Sequence, residues 1–166
     1  DKLNPSFGLS YSLNSRDNVF FSFGTSFETP TLNELSNIPN GTLCPSACPK
    51  LRAYNIDLKS NYSQNYEIGW RKSSSNLILE AVAYITNSNN EILPYELEGF
   101  PGKNFYRNVG STVRRGLQLS SQFFFDGGKL NLSYTLSKNE SKDFTLDGNN
   151  FEDNLIPGIP SQMLVL

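Results

Sequence analysis

Leu117-Gln118-Leu119-Ser120-Ser121-Gln122-Phe123-Phe124-Phe125 is followed, after Asp126-Gly127-Gly128-Lys129, by Leu130-Asn131-Leu132-Ser133-Tyr134-Thr135-Leu136-Ser137. In the second run every other residue is apolar, and each residue between is small and polar. A strand sends successive side chains to opposite faces, so this spacing gives one apolar face and one hydrated face. The hydrated face carries Ser, Asn, Gln and Thr instead of the charges of an ordinary soluble surface. That combination is the pattern of a membrane-spanning β-barrel strand, with lipid on one side and a wet lumen on the other.

The same alternation recurs. Over residues 6–13, Phe7, Leu9, Tyr11 and Leu13 oppose Ser6, Gly8, Ser10 and Ser12. Over 19–26, Val19, Phe21 and Phe23 oppose Ser22, Gly24 and Ser26. Over 62–71, Tyr62, Tyr66, Ile68 and Trp70 oppose Ser63, Asn65, Glu67, Gly69 and Arg71. Residues 77–86 carry apolar side chains on both faces. Glu80 decides between them, because a carboxylate on a lipid face is costly. Leu77, Leu79, Ala81, Ala83 and Ile85 are therefore expected to face outward. The pattern predicts antiparallel strands near 5–14, 18–27, 61–72, 76–87, 104–125 and 129–140, with a bend or bulge at Gly110 or Gly116.

Composition agrees. Aromatic residues make up 13% of the chain and charged residues 18%, below the usual quarter. The net charge of −2 gives no basic excess for nucleic acid. No apolar run is long enough for a membrane helix.

Short connections at 14–18, 72–76 and 126–128 alternate with long ones at about 27–60, 87–106 and 138–155. Outer-membrane barrels have short periplasmic turns and long extracellular loops. The expected fold is all-β: an antiparallel up-and-down transmembrane β-barrel, present as an incomplete segment of about seven strands. The chain opens beside a strand and stops inside an apolar run, as expected of a piece of a larger barrel whose edges would otherwise stay open.

Several segments resemble those of TonB-dependent outer-membrane receptors. Phe27-Glu28-Thr29-Pro30-Thr31-Leu32-Asn33-Glu34-Leu35 is similar to their F-x-x-P-T-L-x-E-L segment. Asn4-Pro5-Ser6-Phe7-Gly8-Leu9-Ser10-Tyr11 and Asn65-Tyr66-Glu67-Ile68-Gly69 look like their P-S-x-G-L-S-Y and N-Y-E-x-G strands. Asn108-Val109-Gly110, Arg115-Gly116-Leu117 and Leu155-Ile156-Pro157-Gly158-Ile159-Pro160 follow in the family's order. Gln118 stands where many members carry an acid. The resemblance implies that residues 1–166 are one segment of a receptor barrel of 22 strands, with the plug domain not present in this stretch. It implies an outer-membrane location in a Gram-negative-type bacterium. It also implies TonB-dependent uptake of a ferric siderophore, cobalamin or similar nutrient. The partners would be outer-membrane lipid, the TonB complex acting through the plug, and a small iron chelate, with no nucleic acid.

Candidate ligand-binding residues follow from position. Arg114 shares the parity of Gly116, Gln118 and Ser120, so it is expected to point into the lumen, where a cation meets an anionic chelate or the plug. Arg115 takes the outer parity and is expected above the hydrocarbon, near headgroups. Glu28 and Glu34 flank Pro30, which cannot donate to a ladder and loosens the pairing there. Tyr95, Phe100, Phe105 and Tyr106 lie in a long connection and are the aromatic candidates for ligand contact. Tyr11, Phe23, Tyr62, Trp70, Phe123, Phe125 and Tyr134 are expected in the membrane-facing band and its belts.

Cys44 and Cys48, in Cys-Pro-Ser-Ala-Cys-Pro, are expected to form a small disulfide loop in an oxidising compartment. Its stabilisation should sit at the low end of roughly 2–4 kcal/mol. A metal site there would need further ligands, and the chain has no His. Asp143, Asp147, Glu152 and Asp153 do not have the spacing of an EF-hand calcium loop. No nucleophile has a plausible base and no phosphate-binding loop follows a strand, so neither an enzyme nor a cofactor is expected. Two alternatives stay open: a non-transporting outer-membrane barrel or adhesin, and a soluble all-β binding module.

Overall fold

The computed structural model describes residues 3–36, 55–96, 101–143, 145–146, 149–150, 152–156 and 158–166. In chain order the elements are β1 (Ser6–Ser12), β2 (Asp17–Glu28), α1 (Leu32–Ser36), β3 (Asn61–Ser73) and β4 (Leu77–Asn89). β5 (Ile92–Glu96), β6 (Asn104–Asn108), β7 (Ser111–Phe125) and β8 (Gly128–Ser141) come next. β9 (Thr145–Leu146), β10 (Asn149–Asn150) and β11 (Gln162–Val165) complete the set. Seven strands form one antiparallel sheet in the order β1-β2-β3-β4-β7-β8-β11, up and down without a crossover.

Register turns the period-two pattern into rows. Leu9, Phe21, Ile68, Ala83, Leu117 and Leu136 stand side by side across six strands. The next row down is Tyr11, Val19, Trp70, Ala81, Leu119, Tyr134 and Leu164. The residues expected on the outward face share one face wherever the register reaches them; Leu13 lies beyond β1. The face is left open to its surroundings, with Leu9 and Ile68 each 61% exposed. Trp70 sits near the short-turn end, where its indole N–H donates to Asp17 at 3.2 Å. An apolar body with a hydrogen-bonded tip is the usual build of an interface aromatic.

The opposite face is laced by side-chain hydrogen bonds between cross-strand partners. Ser22 donates to Glu67 at 3.2 Å, and Thr86 donates to Asn65 at 2.8 Å. Ser63 and Ser88 lie 2.7 Å apart and are buried. Arg71 pairs with Glu80. Such cross-strand pairs contribute roughly 0.2–1 kcal/mol each.

Phe20 falls on this polar face and lies across Gly69, so that a side chain at Gly69 would strike the ring. Tyr84 lies across Gly116 in the same way. Apolar surface on this face is therefore covered by aromatic rings resting on glycines, a device that rescues glycine inside a sheet.

The short connections are tight. Asn14 Oδ1 accepts the N–H groups of Arg16 and Asp17 at 2.8 and 2.9 Å. Gly127, at φ 87°, turns β7 into β8.

One expectation is corrected. The stretch 104–125 is two strands: β7 belongs to the main sheet, and β6 pairs with β5 in a sheet of their own. The cause is a bend at Asn90 and Gly110. Asn90 takes φ 58°, a left-handed value that Asn tolerates better than most residues. Pairing survives the bend, because Asn90 N–H donates to Gly110 O at 3.0 Å and Val109 N–H to Glu91 O at 2.8 Å. The connection expected as a loop over 87–106 is thus mostly a β-hairpin that prolongs β4 and β7.

β11 also departs from even pairing. Glu140 bridges Leu155, whereas lower down Leu136 pairs with Gln162. The register slips in the intervening segment, which contains Gly158 at φ 81°.

Candidate functional site

The long connections all lie at one end of the sheet, and three of them meet around Asn108-Val109-Gly110. Asn108 is a clasp. Its Nδ2 donates to the carbonyls of Lys59 and Asn90, both at 2.8 Å, and its Oδ1 accepts the N–H of Lys59 at 2.7 Å. An Asn side chain has two donor hydrogens and one acceptor oxygen, and here each is engaged by backbone. Residues 55–59, which lead into β3, are thereby fixed to the bend of the next hairpin. α1 also lies against β6, and Asn55 N–H reaches Leu35 O at 2.7 Å.

Gly110 receives the third connection. The carbonyl of Asp143 lies where a side chain at Gly110 would begin, so only glycine fits without a backbone shift. Lys142 N–H donates to Ser111 O at 2.8 Å and holds that approach. The convergence leaves an open cleft of about 370 Å³ lined by Asn55, Asp57, Lys59, Arg107, Asn108 and Gly110. Its lining combines charges of both signs and amide groups with the apolar Leu58 and Val109.

The sequence candidates fall in different places. Arg114 lies on the polar face just below the bend, where it forms an ion pair with Glu91. Glu91 also accepts a hydrogen bond from the buried Thr112 at 2.7 Å. The guanidinium is thus part of the structure that seats the hairpin.

Glu34 has a local partner. Its Oε2 accepts the N–H and the hydroxyl of Thr31 at 2.7 and 2.9 Å, while Glu34 N–H reaches Thr31 Oγ1 at 3.3 Å. This is a capping box for α1, and it accounts for the Thr and Glu of the P-T-L-x-E-L segment. The Thr-x-x-Glu spacing was its visible signal. Glu28 ends β2 opposite Asn61 and is exposed.

On the hairpin, Tyr95 leans on Phe105 with ring centroids 6.0 Å apart, and Arg107 covers the Tyr95 ring at 4.6 Å. Phe105 is wholly buried and packs within the hairpin. Tyr106 is half-buried. Phe100, Cys44 and Cys48 lie outside the described residues.

Asn108, Glu91 and Asn90, which hold the rim together, were not among the candidates read from the sequence. Only Asn108 and Gly110 had a signal, the N-x-G pattern, because the partners of Asn108 and Glu91 are set by distant register.

Below this end, on the apolar face, stands a charged cluster. Arg115, Lys138 and Glu140 share the outer parity of Leu117 and Leu136. Glu140 lies 3.1 Å from Arg115, 2.6 Å from Lys138 and 3.8 Å from Lys142. Lys142 is also tied to Asp153. The hydrogen bond from Lys142 holds the Asp153 carboxyl below its ordinary range, and the same bond raises the Lys142 ammonium.

A family model for the TonB-dependent receptor-like β-barrel matches residues 1–166. Among solved structures, the chain is similar to the copper transporter OprC, with 18% identity and a TM-score of 0.67, over 93% of this chain and 22% of that one. It is similar to the ferric-catecholate import receptor Fiu from E. coli K12, with 20% identity and a TM-score of 0.65, over 96% and 21%. It is also similar to the siderophore receptor PirA from Pseudomonas aeruginosa, with 19% identity and a TM-score of 0.62, over 84% and 28%. The chain thus spans only a fifth to just over a quarter of the length of these structures. The match over its whole length, together with the one-sided apolar sheet, settles the assignment: the chain belongs to the TonB-dependent receptor-like β-barrel family, the outer-membrane barrels of Gram-negative bacteria.

Proposed function

We propose that this chain is one segment of a receptor barrel that imports a scarce nutrient across the outer membrane, a ferric siderophore first among the candidates. The uptake would be driven by TonB acting on a plug carried elsewhere in the receptor. The observation that carries this reading is the convergence of the three long connections on Asn108 and Gly110. It builds an outer rim with a cleft in which charged and amide groups stand beside Leu58 and Val109, a feature that a merely structural barrel does not need. Structures of similar fold include a copper transporter, an iron transporter from Neisseria meningitidis, a siderophore receptor and a ferric-catecholate import receptor, which supports a metal or metal chelate as cargo. Lys59 and Arg107 at the cleft supply positive charge for an anionic chelate, and Tyr95 supplies an aromatic surface behind Arg107.

The test is to shorten the hairpin in the intact receptor by removing residues 94–106, which leaves Asn108 and the bend in place. Affinity for the ferric chelate should fall while the barrel still folds and inserts. Unchanged affinity and uptake would remove the hairpin from binding. Uptake that persists in cells lacking TonB would overturn the transport reading.

A further inference from the structure

Residues 55–59 carry two opposite charges that do not cancel. Asp57 and Lys59 stand two positions apart and both are exposed. Among the described residues neither enters an ion pair, whereas at the same end of the sheet Arg114 is tied to Glu91 and Lys142 to Asp153. A carboxylate and an ammonium left unpaired on one short segment are available to a solute.

Their placement is set by the backbone. Asp57 N–H donates to Asn55 Oδ1 at 3.2 Å, which holds the segment in a turn. Lys59 is gripped from the other side: its N–H donates to Asn108 Oδ1 at 2.7 Å, and its carbonyl accepts from Asn108 Nδ2 at 2.8 Å. The two charged side chains therefore leave the chain from a preorganised base, which lowers the ordering cost of any contact they make.

Both line the cleft of about 370 Å³, together with Leu58, Val109 and Arg107. Arg107 comes from the hairpin, where it covers the Tyr95 ring at 4.6 Å. Two cations and one carboxylate thus border the same space, beside two apolar side chains. A purely anionic ligand would be attracted by the cations and repelled by Asp57. An ammonium on that ligand reverses the sign of the second contact, so Asp57 selects between the two kinds.

We propose that Asp57 reads a free ammonium group on the cargo. The ligand is an amphoteric metal chelate of the amino-acid type, with its anionic part beside Lys59 and Arg107 and its ammonium beside Asp57. The Cα atoms of residues two positions apart are at most about 7 Å from each other, so the ammonium and an anionic group are near neighbours in the ligand, as in an amino-acid unit. This rests on the reading of the cleft as a site for a metal chelate, and adds the charge pattern by which one chelate is told from another.

The experiment uses the intact receptor in detergent and two synthetic iron tris-catecholates that differ at one point. One carries a pendant amino acid with a free amine, and in the other that amine is acetylated. Affinities are measured by titration calorimetry at neutral pH. The unaltered receptor should bind the free-amine chelate about fivefold more tightly, the effect of one ion pair at a wet site. Asp57→Asn should bind the two alike. Lys59→Gln should weaken both by a similar factor and keep the preference, because it meets the part they share. Asp126→Asn, in the short turn at the far end, should leave both affinities unchanged. If the unaltered receptor binds both chelates equally well, the proposal is overturned and the chelate reading stands. A preference that survives Asp57→Asn has the same result. A receptor that binds neither chelate overturns the chelate reading itself, and this proposal with it.

Discussion

The sheet between its two ends and the rim above it are held by different physics. In the sheet, position is decided mainly by parity: Leu117, Leu119 and Leu132 turn to one face and Gln118, Ser120 and Asn131 to the other, and away from the Gly69 and Gly116 sockets one small polar residue serves on the second face much as another. At the rim, position is decided by individual groups. Asn108 engages all of its polar atoms, Gly110 is needed because the Asp143 carbonyl fills its side-chain space, and Glu91 binds Arg114 and Thr112 together. A repetitive region tolerates exchange within a class, and a clasped region does not tolerate exchange at its clasps.

The largest effect should come from breaking parity in the sheet. Arg at Leu132 places a cation in the middle of the membrane-facing side and should cost about 2–4 kcal/mol in refolding into bilayers, whereas Arg at the neighbouring Asn131 should cost far less. Equal costs at the two positions would show that the faces are not lipid and lumen.

Next comes the clasp. Asn108→Ala removes three hydrogen bonds to backbone, each worth about 0.5–1.5 kcal/mol net. Water replaces part of that at a half-exposed site, so the loss should be about 1–2 kcal/mol. It should appear as faster amide exchange at Lys59 and Asn90 with β7 and β8 unchanged. Global loss of protection would mean that the rim and the sheet are one cooperative unit and the contrast between them fails.

The smallest effect tests the tie between Lys142 and Asp153, which is exposed and contributes little. The Asp153 carboxyl lies below its ordinary value of 3.8, so the stabilisation is present above that value and is lost as pH falls through the lower folded value. The Lys142 ammonium lies above its ordinary value of 10.5, so the tie is present below that pH and is lost as pH rises through the higher folded value. Between these limits the protection of the Asp153 and Ser141 amides, corrected for intrinsic exchange, should be level. Asp153→Asn should abolish the acid step, and an acid step that survives it would place the titrating group elsewhere.

The contrast also explains what was legible beforehand. Parity is local, so the faces, the short turns and the Arg115 position could be read from neighbouring residues. The capping box was equally local: Thr31 and Glu34 stand three apart, although the segment was read only as a place where Pro30 loosens the pairing. The rim was not legible in this way. Asn108 lies far along the chain from Lys59, and Glu91 far from Arg114, so those partners exist only once the register of β3, β4 and β7 is fixed. Phe105 illustrates the same limit. As a loop aromatic it was a ligand candidate, but pairing of β5 with β6 buries it. A bend at Gly110 or Gly116 was expected and falls at Gly110, while the hairpin beyond it was not expected, because Pro94 and the nearby charges obscure a strand pattern.

The rings resting on glycines have a consequence for assembly. A slip of two residues between neighbouring strands returns every side chain to its proper face, so a face pattern alone gives no penalty for it. The sockets do give one. With β2 displaced by two against β3, Phe20 would stand opposite Glu67 or Arg71 instead of Gly69, and its ring would meet a side chain. Tyr84 would likewise lose Gly116 and meet Arg114 or Gln118. These two pairs act as detents, stopping a sliding strand at one notch where the alternation by itself would permit several.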